Sequence, residues 1–469
     1  MRRRLAAVAA TAVAFLLTAP AAALAHGIKG KTDLPIPRWL FAWGAGLVLA
    51  ISFAALAVLW QRPRLQDPER RRLFRIPGWV DPVCGVVGVA VFGIVVYAGL
   101  AGSQNTVTNL DPTFVFVLFW VGLVFASVLF GDLFLLFSPW RALGRAVGWL
   151  AVRVGSGAPA PLPYPHRLGR WPAALGIVGF AWLELVYSSP DVPRTLAILM
   201  LVYAGLQLLG MGLFGVAEWT DKGDAFGTYF RLFSGLSPWD RREGVLYLRP
   251  PLSGLPVLAA VPGTVALLCT MIGSTTFDGF SSGPVWRSIA PGLEQRFTDL
   301  GAGLTASVEL GYSVGLVGCI LAVGLLYWIG VTGMRQVGEG HQARELARRF
   351  VHTLVPIAFA YAVAHYFSLL LFQGQATAYL ISDPLGHGSD IFGTASAGID
   401  YTLISSNGIW YVQVAALITG HVCGLVLAHD RAVAMYRSAR DATRSQYWML
   451  LVMIGFTSLG LWLLSVANT

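Results

Sequence analysis

The chain has 469 residues, of which 56% are hydrophobic and only 12% are charged. A soluble globular domain carries roughly 25% charged residues, so a soluble fold is excluded: no core could hide this much apolar surface, whereas lipid can. The formal charge of +9 would suit a nucleic-acid binder, but the placement of the basic residues, taken up below, gives that class no support.

Residues 1–25 have the three parts of a secretory signal. Arg2-Arg3-Arg4 is a basic start, Leu5 to Leu17 an apolar stretch, and Ala23-Leu24-Ala25 a small-residue cleavage site. An uncleaved anchor is the alternative, and Pro20 with the small residues after it favours cleavage. The mature domain, 26–469, then begins at His26-Gly27 on the outer face. A free α-amino group and the imidazole of the same residue can chelate copper, provided another histidine joins them. Alternatively, His26 is simply what the peptidase leaves.

The mature chain is expected to be all-α, a polytopic transmembrane bundle. A run crossing a ~30 Å hydrocarbon core needs about 20 apolar residues. Such runs lie near 38–60, 82–102, 113–137, 172–189, 194–217, 253–275, 312–334, 351–373, 409–430 and 446–467, which gives about ten spans. With the mature N-terminus outside, the inner loops are 61–81, 138–171, 218–252, 335–350 and 431–445. They hold six, five, five, four and four Lys or Arg, against six in all the outward segments. That bias is what the positive-inside rule predicts. It orients the chain in its membrane, with lipid as its first partner and no nucleic acid.

One internal echo stands out. Gly131-Asp132-Leu133-Phe134 leads to Ser138-Pro139-Trp140-Arg141, and Gly223-Asp224-Ala225-Phe226 leads to Ser237-Pro238-Trp239-Asp240-Arg241. Repeated units build many transporter folds. Two similar interfacial elbows, with Pro ending a helix and Trp in the headgroups, explain it as well.

Ionisable groups inside spans are costly and mark functional sites by default. Glu184 lies well inside the fourth span. His365 lies in the eighth and His421 in the ninth, at similar depth on antiparallel neighbours. Gly420 and Gly424 form a small-xxx-small pattern that admits a close helix beside His421. His352 and His429 form a separate layer nearer the inner ends, and Pro356 is expected to kink the eighth helix. Packing histidines held by hydrogen bonds are the plain alternative. Cys84, Cys269, Cys319 and Cys423 fall in apolar runs without metal-ligand spacing, and no disulfide is expected.

The outer segments carry Ser274 to Gly279, with Asp278, and the long stretch 374–408, with Asp383, His387, Asp390 and Asp400 and no Lys or Arg. Oxygen and imidazole ligands of this kind suit a divalent cation, while Gly, Ser and Asp are also ordinary turn formers.

Several stretches together carry a resemblance. They are His26-Gly27 with Asp33-Leu34-Pro35 and Trp39-Leu40-Phe41-Ala42-Trp43; Ser274 to Gly279; Ala364-His365-Tyr366-Phe367-Ser368 with Gln373-Gly374-Gln375; and Gly420-His421-Val422 with Leu427-Ala428-His429-Asp430-Arg431-Ala432. The chain resembles a family of polytopic membrane proteins of high-GC bacteria labelled fenitrothion hydrolase, over nearly the whole mature chain. The resemblance implies hydrolysis of a phosphotriester bond in an apolar small molecule. No short phosphotriesterase signature is present, so it supplies no catalytic residue.

Three functional classes follow. In a metal-assisted hydrolase, zinc or copper would acidify a bound water; the ligands would be His365 and His421 with His26 or His387, and Glu184 or Asp278 the base. In a transporter or channel, Glu184, His365 and His421 would form an ion or proton relay. In a copper- or haem-handling protein, His26 would contribute; without CxxCH the haem could not be covalently attached.

Overall fold

Inside a bilayer a segment has no water to satisfy its backbone, so it must close its hydrogen bonds within itself as a helix. The computed structural model describes residues 38–154, 160–337 and 340–467, and it is accordingly an all-α helical bundle. Its main helices are α1 (Arg38–Leu59), α2 (Val80–Ala101), α3 (Leu110–Phe130), α4 (Pro139–Arg153), α5 (Trp171–Leu185), α6 (Pro193–Phe214) and α7 (Ala225–Ser234). They continue with α8 (Thr264–Ser281), α9 (Pro284–Asp299), α10 (Leu304–Met334), α11 (Ala343–Phe350), α12 (Val355–Gln373), α13 (Ser406–Met435) and α14 (Tyr447–Ala467). Six stretches among the described residues are long and apolar enough to cross a membrane: α2, α3, α6, α10, α13 and the run from Ala343 to Leu380 that contains α12. The chain is a multi-pass membrane protein. Large apolar side chains on α2 and α6, such as Val86, Leu206 and Leu209, face outward where only lipid could cover them. The expected signal peptide and His26 lie outside the described residues.

Two expectations shift. The run at 253–275 becomes a helix only from Thr264, because Pro250, Pro251, Pro256 and Pro262 each lack an amide donor. Gly263, at φ +84°, turns the chain into the helix from a left-handed conformation. Pro356 does not kink a continuous helix. A short tight turn, Val351–Leu354, precedes α12, and Pro356 sits in that helix's first turn, where an amide would be unpaired anyway.

The close approach at Gly420 and Gly424 is present. α12 packs on α13, and a Cβ on Gly420 would stand 2.3 Å from the Ala360 Cβ and 2.6 Å from the Pro356 carbonyl oxygen. A Cβ on Gly424 would meet the Thr353 carbonyl oxygen at 3.1 Å. Only glycine leaves room for these backbones.

Residues 218–252, read from sequence as an inner loop, are folded into the protein. α7 is buried along its length apart from Arg231 and packs on α3, α5 and α12. Its Phe226, Tyr229 and Phe230 interleave with Phe119, Trp120, Phe134 and Phe180, Phe233 packs on Phe359 of α12, and Trp120 stacks on Tyr229 with centroids 4.6 Å apart. A short helix at this position is tolerated because protein, not lipid, surrounds it. The two echoed motifs interlock here. The Trp140 indole N–H donates to Asp224 (2.7 Å), and Arg231 pairs with Asp132 (3.0 Å). Asp224 also accepts from the Tyr203 hydroxyl (2.9 Å).

The small exception to the helical rule is a three-stranded antiparallel sheet in the order β1 (Arg71–Arg75), β3 (Val245–Leu248), β2 (Trp239–Arg242). Its hairpin turns at Glu243 and Gly244, both with positive φ, the geometry that suits a two-residue hairpin loop. This sheet, the 60–66 linker and the segments around 342–352 and 430–445 form one arginine-rich end of the bundle. The opposite end joins the turn 103–110 to 383–386, through Ser103 N–H to the Leu385 carbonyl (2.8 Å) and Leu110 N–H to that of Pro384 (3.2 Å).

Candidate functional site

α8 carries the sequence Ser274-Thr275-Thr276-Phe277-Asp278-Gly279. The hydroxyls of Thr275 and Thr276 bond back to the carbonyls of Met271 and Ile272, at 3.1 and 2.8 Å, so they are spent on their own helix. Phe277 is fully buried against Trp286 of α9 and Tyr312 of α10. Successive helical residues are turned by about 100°, so anchoring Phe277 there fixes Asp278 toward α12.

On α12, His365 and Tyr366 both reach the same carboxylate oxygen. His365 Nε2 lies 2.8 Å from Asp278 Oδ2, and the Tyr366 hydroxyl donates to that oxygen at 2.9 Å. A Cβ on Gly279 would stand 3.7 Å from His365 Nδ1, so the absent side chain leaves that ring edge uncrowded. Among the described residues, neither His365 Nδ1 nor Asp278 Oδ1 has a hydrogen bond. Both side chains are embedded among helices yet keep 27% and 23% of their surface accessible.

Glu184 stands behind this pair, near the end of α5, close enough to Asp278 for the two carboxylates to feel each other's charge. The Trp120 indole and the Tyr229 phenol flank it. Four helices and the buried α7 therefore deliver two carboxylates, an imidazole and two phenols to one place. α3 winds as a wider π-helix over Thr113–Gly122, where it supplies Trp120, and such segments recur at functional sites.

The other sequence candidates go elsewhere. His421 is fully buried; its Nδ1 bonds the Leu417 carbonyl oxygen (2.8 Å) and its ring packs on Tyr361 and Phe456. Its contacts are thus one helical turn from His365 and on the α14 side, and the shared His365–His421 layer expected from sequence is not formed. His429 bonds the Trp60 carbonyl oxygen (3.0 Å) and does not pair with His352. His387 is exposed. Its backbone N–H and that of Gly388 donate to Asp383, at 3.0 and 2.7 Å, while Asp390 accepts from Ser382 and Ala395. The carboxylates of this loop thus fasten turns. Backbone donors hold the Asp383 carboxyl below its usual range even though burial pushes the other way. All four cysteines are free. Among the described residues, no three His, Cys, Asp or Glu side chains gather as metal ligands.

Sequence reasoning missed two residues. Tyr366 adjoins His365, and its adjacency was the available signal: neighbours on a helix can reach one oxygen when the partner lies between their directions. Asp111, wholly buried, has no hydrogen bond on either carboxylate oxygen among the described residues; at the end of an apolar run it reads as an interfacial turn residue.

No family model matches the chain, and no curated protein or solved structure matches it.

Proposed function

We propose that this membrane protein is a transporter that moves protons, alone or with a cargo, through the Asp278–His365–Tyr366 centre, with Glu184 as the next station. The observation that carries the reading is the 2.8 Å His365–Asp278 pair, accessible inside an apolar bundle and backed by a second carboxylate. Charges are costly there unless paired. An imidazole and a carboxylate sharing one proton hold it at low cost and release it when a neighbour changes charge. Support also comes from the buried short helix α7 and the interlocked echo motifs, since discontinuous helices and repeated units recur around transporter sites. The charge bias adds an orientation: the arginine-rich end faces the cytoplasm, and the centre lies in the half of the bundle nearer the outside.

The test is proton flux into proteoliposomes carrying an internal pH dye, under an imposed pH gradient. Wild-type vesicles acidify, while Asp278→Asn and His365→Ala vesicles, with equal protein inserted, do not. Equal flux in all three, or none in the wild type, sinks the reading.

The hydrolase implied by the resemblance is the second reading. It is favoured by the free His365 Nδ1, because a general base needs an unoccupied nitrogen and a carboxylate that orients the ring. Zinc or copper would supply a more acidic water, but among the described residues no three ligands gather for it. Release of nitrophenol from an aryl phosphotriester, unaffected by collapsing the gradient, would select this reading.

A further inference from the structure

At the arginine-rich end, away from the proton centre, lies an open cavity of about 560 Å³. Arg344, Arg348 and Arg349 of α11 and Arg431 of α13 line it, with His352 at its base and Glu345 as the carboxylate on its wall. Glu345 is already engaged by Arg349 at 2.9 Å. Arg344 and Arg348 have no ion-pair partner among the described residues, and Arg349 lies close enough to Arg431 for the two cations to repel. Asp430 acts on Arg431 with opposite charge, so the surplus is about two positive charges, those of Arg344 and Arg348, without a counterion.

A second observation points to a ligand. His352 is 3% exposed, and its Nε2 has no hydrogen-bond partner among the described residues. The buried Nε of Arg431 is likewise unsatisfied, although its Nη2 is fixed on the Pro256 carbonyl oxygen at 2.6 Å. The Arg431 Nε is a buried donor without an acceptor, which an entering anion would supply; the His352 ring gives its N–H to the Arg349 carbonyl, so its Nε2 is an acceptor left for a hydroxyl of the ligand. Arginine forks match phosphate oxygens in geometry and charge. The remaining wall is apolar, formed by Pro256, Leu258, Ala260 and Val351, which suits the organic part of a phosphate ester. The volume falls in the range of small-ligand sites, about 300–1,000 Å³.

We infer that this cavity binds a phosphate-bearing anion, either a free phosphate ester or the headgroup of an anionic lipid at the membrane edge. Arg344 and Arg348 are the outer contacts to the phosphate and Arg431 the inner one, while His352 Nε2 accepts from a hydroxyl of the ligand. Basic pockets between membrane helices recognise headgroups by the same chemistry.

Two arms separate the sources. Protein in neutral detergent is titrated with inorganic phosphate and with glycerol 3-phosphate by calorimetry. In parallel, protein in nanodiscs of phosphatidylcholine, with or without phosphatidylglycerol, is released and its retained lipid weighed by native mass spectrometry. Saturable binding in the first arm identifies a free ester, and selective retention of phosphatidylglycerol in the second identifies a headgroup; either supports the inference. Arg344→Ala/Arg348→Ala, two exposed positions that leave the fold intact, is expected to weaken the positive arm at least tenfold, and raised salt should weaken it further. Binding in neither arm, or binding unchanged in the double variant, overturns the inference.

Discussion

Two kinds of buried carboxylate in this bundle differ in how their hydrogen bonds are used. Asp430 is fully buried and accepts from the Trp60 indole, the backbone N–H groups of Arg64 and Leu65, and the Gln66 side chain. It staples the linker after α1 to α13. Asp224 is likewise buried and takes Trp140 and Tyr203. Asp278 instead keeps one oxygen free of hydrogen bonds and remains accessible, as does the His365 beside it. A carboxylate whose acceptor capacity is filled holds a fold together. One left partly unfilled and still accessible can take and release protons. Residue type and depth do not separate the two cases, but the hydrogen-bond accounting does.

Four substitutions put pressure on that contrast. Asp430→Ala should do the most damage to stability, about 3 kcal/mol, because it strands several donors around one vacated site. Thermal melting in detergent reads this, and an unchanged midpoint would mean that the staple is dispensable. Gly420→Ala comes next, at about 2 kcal/mol, since the new methyl overlaps Ala360 and the Pro356 carbonyl; a melt that stays in place would show that α12 and α13 separate freely.

Asp278→Asn should shift melting by less than about 1 kcal/mol, because the amide keeps an acceptor oxygen for Tyr366, while proton flux is lost. A large loss of stability instead would move Asp278 into the structural class with Asp430. The smallest effect belongs to the loop at 383–390. The Asp383 carboxyl is held below its usual range by backbone donors after burial has opposed them. The stabilisation is therefore complete above the ordinary carboxylate value of 3.8 and is lost as pH falls through the lower folded value. Hydrogen exchange at His387 and Gly388 should rise on such acidification, and Asp383→Asn should raise it already at neutral pH. Protection that persists in both would show that the turn does not need the charge.

Much of the bundle was legible in the sequence because lipid imposes one rule on every span: apolar side chains outside and hydrogen bonds closed within the helix. The membrane-capable helices therefore fall where the apolar runs are; at 253–275 prolines delay the start to Thr264, and α4, α7, α9 and α11 are helices in segments that read as loops. α7 was misread because its charged flanks resemble a loop, and nothing local shows that Asp224 and Arg231 find partners from the region of the other echoed motif. Within the site, Glu184, Asp278 and His365 were visible as ionisable groups in apolar surroundings. Their grouping was not, and the pairing of His365 with His421 came from equal depth, which says nothing about direction around the helix axis.

The sequence by itself determined that this chain lives in a membrane, that it is helical, and which few polar residues cannot be there for solubility. Local composition suffices for that, since the cost of burying an apolar run in water or a charge in lipid depends on the segment alone. Tertiary structure decided which charges meet. The meeting of His365 with Asp278, the filling of Asp430 and the open arginines of α11 all depend on helix rotation, which the packing of Phe277, Gly420 and their distant neighbours sets.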